Sequence, residues 1–184
     1  MADKAVLVVD MLKDFASPEG PLYCETAREV IPRIRQLIGA ARKNNIAVFY
    51  LNDAHEKGDK ELELWGKHAM KGTKGAEVVD ELRPEDPSEI IGKRWYSGFT
   101  ETNLDERLKK LGVRTVYITG MHTNICDRHT SYDAFTHGYG IVMVSDATGT
   151  FTKEEHESGL DYIKRMYNAK IETVEEAVKE FRKN

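Results

Sequence analysis

Short runs of aliphatic and β-branched residues alternate along this chain with longer stretches of helical periodicity, and that alternation leaves few folds open. Ala5 to Val9 is apolar at every position, so it reads as a strand covered on both faces. Ala27 to Arg42 reads as a helix, with Val30, Ile31, Ile34, Leu37, Ile38 and Ala41 on one face and Pro32 tolerable only near its first turn. Further strands are expected at Ile46 to Leu51, Glu89 to Gly92, Thr115 to Thr119, Ile141 to Val144 and Ala169 to Glu172. Further helices are expected at Asn103 to Leu111, Asn124 to His137, Glu154 to Tyr167 and Thr173 to Phe181. Near-continuous apolar strands joined through helices imply an α/β fold, a parallel sheet covered by helices on both faces.

A chain of 184 residues is one domain's worth and buries roughly 70% of its unfolded surface, so residues 1–184 are expected to form a single domain without covalent staples. Its two cysteines, Cys24 and Cys126, lie too far apart for a metal-binding pair and do not make a disulfide framework, which points to a reducing, cytoplasmic compartment. The opening Met1-Ala2-Asp3-Lys4 runs into a short apolar strand ended by Asp10, too brief for a signal peptide or a membrane span. With a net charge of −4 and interleaved signs there is no positive field for a phosphate backbone, so neither nucleic acid nor membrane is an expected partner. One irregularity interrupts the alternation: a long polar stretch at about 52–88, with helical fragments around Glu61 to Trp65 and Gly75 to Leu82. Insertions of that length in a compact domain are usually functional.

Functional groups of parallel sheets gather at the carboxyl ends of the strands. By that rule Asp10, Asp53, His55, Lys93 and Cys126 fall on one edge. A strand ending in Gly120, followed by a thiol at the start of the next helix, is a setting that lowers the pKa of Cys126, although a buried structural cysteine would share the position. Asp10, Lys93 and Cys126 supply a base, a cation and a nucleophile, a set suited to acyl transfer. Singly, Asp10 is equally a turn cap and Lys93 a solvated strand-end charge; the joint placement argues for chemistry. Asp53-Ala54-His55 sets two ligand-type side chains at i and i+2, on one side of an extended segment, with Glu61 and His68 further along. Two histidines with carboxylates suit Zn²⁺, Fe²⁺ or Mn²⁺, while a surface histidine and a satisfied loop aspartate would give the same spacing.

In combination these motifs resemble the isochorismatase-like cysteine hydrolases, and within them the nicotinamidases and related amidases. The likeness runs from Val6-Leu7-Val8-Val9-Asp10-Met11-Leu12-Lys13-Asp14-Phe15, through Asp53-Ala54-His55 and Lys93 with Tyr96-Ser97-Gly98-Phe99, to Gly120, Thr123, Cys126, Arg128, Thr130, Asp133 and Ala134. It implies a Rossmann-like three-layer fold with a six-stranded parallel sheet and a catalytic triad of Asp10, Lys93 and Cys126. It also implies an oxyanion hole from the backbone N–H groups of His122 and Cys126, with a cis peptide at Met121-His122. The metal ligands it implies are Asp53, His55 and His68, joined by Glu61, holding a divalent ion, Zn²⁺ first, that meets a pyridine nitrogen of the substrate. Phe15, Trp65 and Tyr96 would line the substrate pocket. The implied function is hydrolysis of a small-molecule amide, nicotinamide to nicotinate and ammonia, through a cysteine thioester, by a protein that self-associates as a dimer or tetramer.

Around Trp65-Gly66-Lys67-His68-Ala69-Met70-Lys71-Gly72 the chain is also similar to N-carbamoylsarcosine amidases, which leaves ureido compounds as alternative substrates. His122 stands where many members carry a small or aliphatic residue, so its ring is a candidate to enter the pocket and alter specificity. A reading of another class keeps the fold as a non-catalytic binding protein and predicts an unreactive Cys126. Plain roles are expected for Cys24 as an incidental thiol, His129 and His137 as ordinary helix residues, His156 as a solvated one, and Asp14 as a support for the Phe15 loop.

Overall fold

A computed structural model describes residues 3–183; Met1 and Ala2 of the N-terminal reading lie outside them. In chain order the regular elements are β1 (Lys4–Val9), α1 (Lys13–Ala16), α2 (Glu25–Lys43), β2 (Ala47–Asp53), α3 (Glu61–Trp65), β3 (Ile90–Lys93) and α4 (Leu104–Lys110). Then come β4 (Thr115–Met121), α5 (Cys126–Thr136), β5 (Gly140–Gly149), α6 (Lys153–Tyr167), β6 (Lys170–Glu172) and α7 (Val174–Phe181). The six strands form one parallel sheet in the order β3-β2-β1-β4-β5-β6, the doubly wound arrangement expected.

The alternation of side chains along β1 shows why its run has no polar position. Val6 and Val8 enter a core beneath α2 and α7, while Ala5, Leu7 and Val9 enter a second core beneath α4, α5 and α6. The chain winds outward from β1 through β2 to β3 and then returns to the other side of β1 as β4, so the switch point lies between β1 and β4. There the strands approach closely: a Cβ on Gly120, whose φ is +117°, would sit 2.1 Å from the Val9 carbonyl oxygen, so glycine is required.

Several boundaries move. Helix α2 begins at Glu25, which places Pro32 beyond the first turn and corrects the expectation that it would sit there. Pro32 is on the exposed face, so the Arg28 carbonyl left without its helical donor can be met by solvent. Strand β2 runs on to Asp53 and β3 to Lys93, so both side chains belong to strand ends rather than to the loops after them. The fragment expected at Gly75 to Leu82 is two single 3₁₀ turns, Lys74–Ala76 and Asp80–Leu82. Strand β5 is much longer than Ile141 to Val144; its far end, Thr148–Gly149, pairs with Gly120–Met121 after a register shift. No helix among the described residues is long and apolar enough to cross a membrane.

Candidate active site

Asp10 closes β1 in a left-handed conformation, φ 49°, with its N–H donating to the Leu51 carbonyl at 2.9 Å. Aspartate tolerates this region better than most residues, and the turn aims the carboxylate across the sheet edge. Its Oδ1 accepts from the Asp53 N–H at 2.7 Å and its Oδ2 lies 2.8 Å from Lys93 Nζ. The Lys93 ammonium also donates to Asp53 Oδ1 and lies 3.7 Å from Cys126 Sγ. All four side chains are buried. Asp10, Lys93 and Cys126 are therefore brought together from the ends of β1 and β3 and the first residue of α5, and Asp53 joins them through the shared ammonium.

Charge explains how such a cluster is held. Burial works against the charge on Lys93, yet the carboxylates of Asp10 and Asp53 outweigh it and hold the amine well above its ordinary pKa. Burial, then the neighbouring Asp53 charge, raises Asp10 to about 6 against the pull of Lys93. Burial also pushes the Cys126 thiol up, with Lys93 opposing. This corrects the expectation that the helix start would leave a low-pKa thiolate: desolvation and the carboxylates of Asp10 and Asp53 outweigh the pull of the ammonium, so the resting sulfur keeps its proton beside a carboxylate able to take it. The Met121–His122 peptide is cis, as the resemblance implied.

Beside this cluster, Asp53, His55, Glu61 and His68 offer ligand atoms all within 4.8 Å of one another, all buried. His55 Nε2 lies 3.6 Å from Asp53 Oδ2 and 3.8 Å from Glu61 Oε2, and His68 Nε2 lies 3.8 Å from Asp53 Oδ2. Ligands about 2.0–2.1 Å from a tetrahedral ion stand about 3.3 Å apart, so small adjustments would close this set on one cation. His55 Nε2 and Glu61 Oε1 are buried without a hydrogen-bond partner, and burial with the Asp53 charge pushes Glu61 up to about 7. A divalent cation would relieve both conditions, and the two-nitrogen, two-carboxylate donor set suits zinc, iron or manganese. The tautomers agree: the other nitrogen of His55 meets Asp59 Oδ2 at 3.1 Å, and His68 Nδ1 donates to the Gly66 carbonyl at 2.9 Å.

Between the two groups opens a narrow pocket whose walls include Phe15, Trp65, Tyr96, His122, Cys126 and Phe151. The three predicted pocket residues are among them. Trp65 Nε1 donates to the Tyr96 hydroxyl at 3.0 Å, which ties the insertion to the segment after β3. Asp14, expected to support the Phe15 loop, instead accepts at Oδ2 from the Ala69 N–H at 2.7 Å, tying α1 to the residue beside His68. Burial pushes His122 down to about 4, so its imidazole is neutral.

The sequence profile of the Isochorismatase domain matches residues 4–176. The chain belongs to the isochorismatase family. Its relatives include nicotinamidase 3 of Arabidopsis thaliana, 32% identical over 85% of this chain and 78% of that protein. Among solved structures, N-carbamoylsarcosine amidase from Thermoplasma acidophilum matches with a TM-score of 0.87 and 37% identity over 94% of this chain and 97% of that one. The pyrazinamidase of Pyrococcus horikoshii, solved in complex with zinc, matches with a TM-score of 0.85 and 32% identity over 94% and 99%.

Sequence reasoning missed several residues of this isochorismatase-family hydrolase. Asp59, clamped by Arg94 Nε at 3.0 and 3.2 Å and by the Glu56 N–H at 2.9 Å, was signalled only by its place four residues after His55. Phe151 follows the unexpected extension of β5, and no local pattern marks it. His156 is not solvated: it is half-buried and its Nδ1 lies 2.8 Å from Thr123 Oγ1. Cys24 is buried at the start of α2 with its sulfur 3.0 Å from Thr26 Oγ1 and its N–H donating to the Phe15 carbonyl at 2.8 Å, a packed thiol.

Proposed function

We propose that this isochorismatase-family hydrolase is a metal-containing cysteine amidohydrolase of small carboxamides, with nicotinamide converted to nicotinate and ammonia as its leading reaction. The observation that carries this reading is the meeting of Cys126 Sγ, Lys93 Nζ and Asp10 beside an aromatic-walled slot whose far side is a four-donor cation cluster. Asp53, His55, Glu61 and His68 would hold a divalent ion, zinc first, whose chemistry there is Lewis-acid binding of a substrate heteroatom such as a pyridine nitrogen.

Asp10 takes the proton of the Cys126 thiol while the Lys93 ammonium stabilises the sulfur anion as it forms. The thiolate adds to the carboxamide carbon, and the backbone N–H groups of His122 and Cys126 receive the negative oxygen. Protonated Asp10 returns its proton to the nitrogen as the C–N bond breaks, releasing ammonia and leaving a thioester on Cys126. A water molecule, deprotonated by Asp10, then cleaves the thioester to the carboxylic acid and restores the thiol. Phe15, Trp65 and Tyr96 orient a planar ring within the slot and exclude water from it.

A second reading, cleavage of a carbamoyl or ureido compound by the same steps, is favoured by the 37% identity with the N-carbamoylsarcosine amidase structure. Cytoplasmic residence and self-association as a dimer or tetramer belong to the proposal. Ammonia release from nicotinamide by zinc-loaded protein, absent in Cys126→Ala, tests it. No release with the metal bound and the thiol intact would remove nicotinamide, and no release across a panel of ureido and aliphatic amides would remove the amidohydrolase.

A further inference from the structure

One polar atom in the pocket wall has no task in the steps above. The His122 ring is stacked on Phe151 at 4.3 Å and stands edge-on to Phe15 at 5.8 Å, and it lines the same cavity as Cys126. Its Nε2 is buried and has no hydrogen-bond partner among the described residues. Its other nitrogen, Nδ1, lies 3.4 Å from Thr150 Oγ1. The Thr150 hydroxyl has one proton, and it donates that proton to Asn124 Oδ1 at 2.7 Å. Toward His122 the hydroxyl can therefore only accept, so Nδ1 carries the imidazole proton and Nε2 is left as a bare acceptor. A buried acceptor among aromatic rings is costly until a donor reaches it.

We infer that His122 is a specificity-determining residue whose Nε2 accepts a hydrogen bond from a substrate N–H or O–H near the acyl carbon, other than the departing amide. The inference rests on the amidohydrolase reading and, within it, favours ureido compounds with a free internal N–H over nicotinamide and N-carbamoylsarcosine, neither of which carries such a donor. Phe15 and Phe151 fix the ring plane, so the acceptor does not turn to follow a ligand; the ligand has to bring its donor there. A site built to accept such a bond rejects the analogue that lacks the donor, because the acceptor is then buried unpaired.

The test pairs N-carbamoylglycine with N-carbamoylsarcosine, in which a methyl group replaces the internal N–H. Protection of Cys126 from iodoacetamide gives apparent affinities without requiring turnover. Wild-type protein should favour N-carbamoylglycine by about 3- to 10-fold, the range for one neutral hydrogen bond. His122→Phe, which keeps the aromatic packing, should remove that preference, and His122→Gln should retain part of it. Comparing ratios between proteins cancels the steric effect of the methyl group. Nitrogen-15 spectra of histidine-labelled protein should show Nε2 without a proton. A protonated Nε2, a preference unchanged in folded His122→Phe, or protection by neither ligand would overturn the inference. Failure of the amidohydrolase reading looks different: no amide is cleaved, whatever the protection ratios.

Discussion

Removing the charge of Asp59 tests the argument that residues outside the ligand set hold it in place. Asp59 is buried, accepts from His55 Nδ1, the Glu56 N–H and the Arg94 guanidinium, and touches none of the other three ligands named above. Asp59→Asn keeps the shape but loses the carboxylate that fixes His55 with Nε2 toward Asp53 and Glu61. Changes to such outer partners typically cost 10- to 100-fold in metal affinity, about 1.4–2.7 kcal/mol. The fold should lose less, because Arg94 is half-exposed and its pairing is screened; about 1–2 kcal/mol is expected, or about 2–8 °C in Tm. Competition with a chromogenic chelator for Zn²⁺ measures the first quantity, and thermal unfolding of metal-free protein the second. The stability difference has a definite sign with pH. Hydrogen bonds from Arg94 are the main cause holding the Asp59 carboxyl below its ordinary value, so its contribution is full above about pH 4 and fades as acid protonates the folded state. Zinc affinity within twofold of wild type in a variant with lowered Tm would refute the reasoning, since His55 would then be held by packing alone.

Asp10→Asn should lower kcat for ammonia release by about 10²- to 10⁴-fold while leaving zinc affinity near wild type, measured by turnover and chelator competition. In metal-free protein, alkylation of Cys126 by iodoacetamide should fall on the acid side of about pH 6, because protonated Asp10 no longer accepts the thiol proton; a pH-independent rate between 5 and 8 would contradict the pairing. Gly120→Ala should destabilise the protein by about 3 kcal/mol in urea unfolding, since the added methyl meets the Val9 carbonyl and the positive φ disfavours alanine. Glu61→Gln should weaken zinc binding and raise the Tm of the metal-free protein at pH 8, where a carboxyl pushed up to about 7 is otherwise buried as an anion.

The sheet was legible because both-faced burial leaves an unmistakable trace, five apolar residues in β1 with no polar interruption. Strand-end placement then brought Asp10, Lys93 and Cys126 to one edge by a rule that needs no side-chain coordinates. Two kinds of information were not in the residue pattern. The ionisation of Cys126 depends on how completely water is excluded, a property of all the segments packed over it, so a local helix-start argument gave the wrong direction. The extension of β5 is set by pairing with Gly120 and Met121, a long-range contact, and Thr150 and Phe151 follow from it. Pro32 is a milder case: propensity places proline early, but the buried face of α2 carries the helix through it.

The reacting groups and most of the walls that meet the substrate come from different parts of the chain; His122, directly after β4, serves both. Base, ammonium and sulfur stand at the ends of β1 and β3 and the start of α5, where the sheet immobilises them, whereas Phe15, Trp65 and Phe151 sit in or beside short peripheral segments. Exchanging those segments would therefore re-select what is admitted without disturbing how it is cut. A lineage built this way can change diet while keeping its teeth.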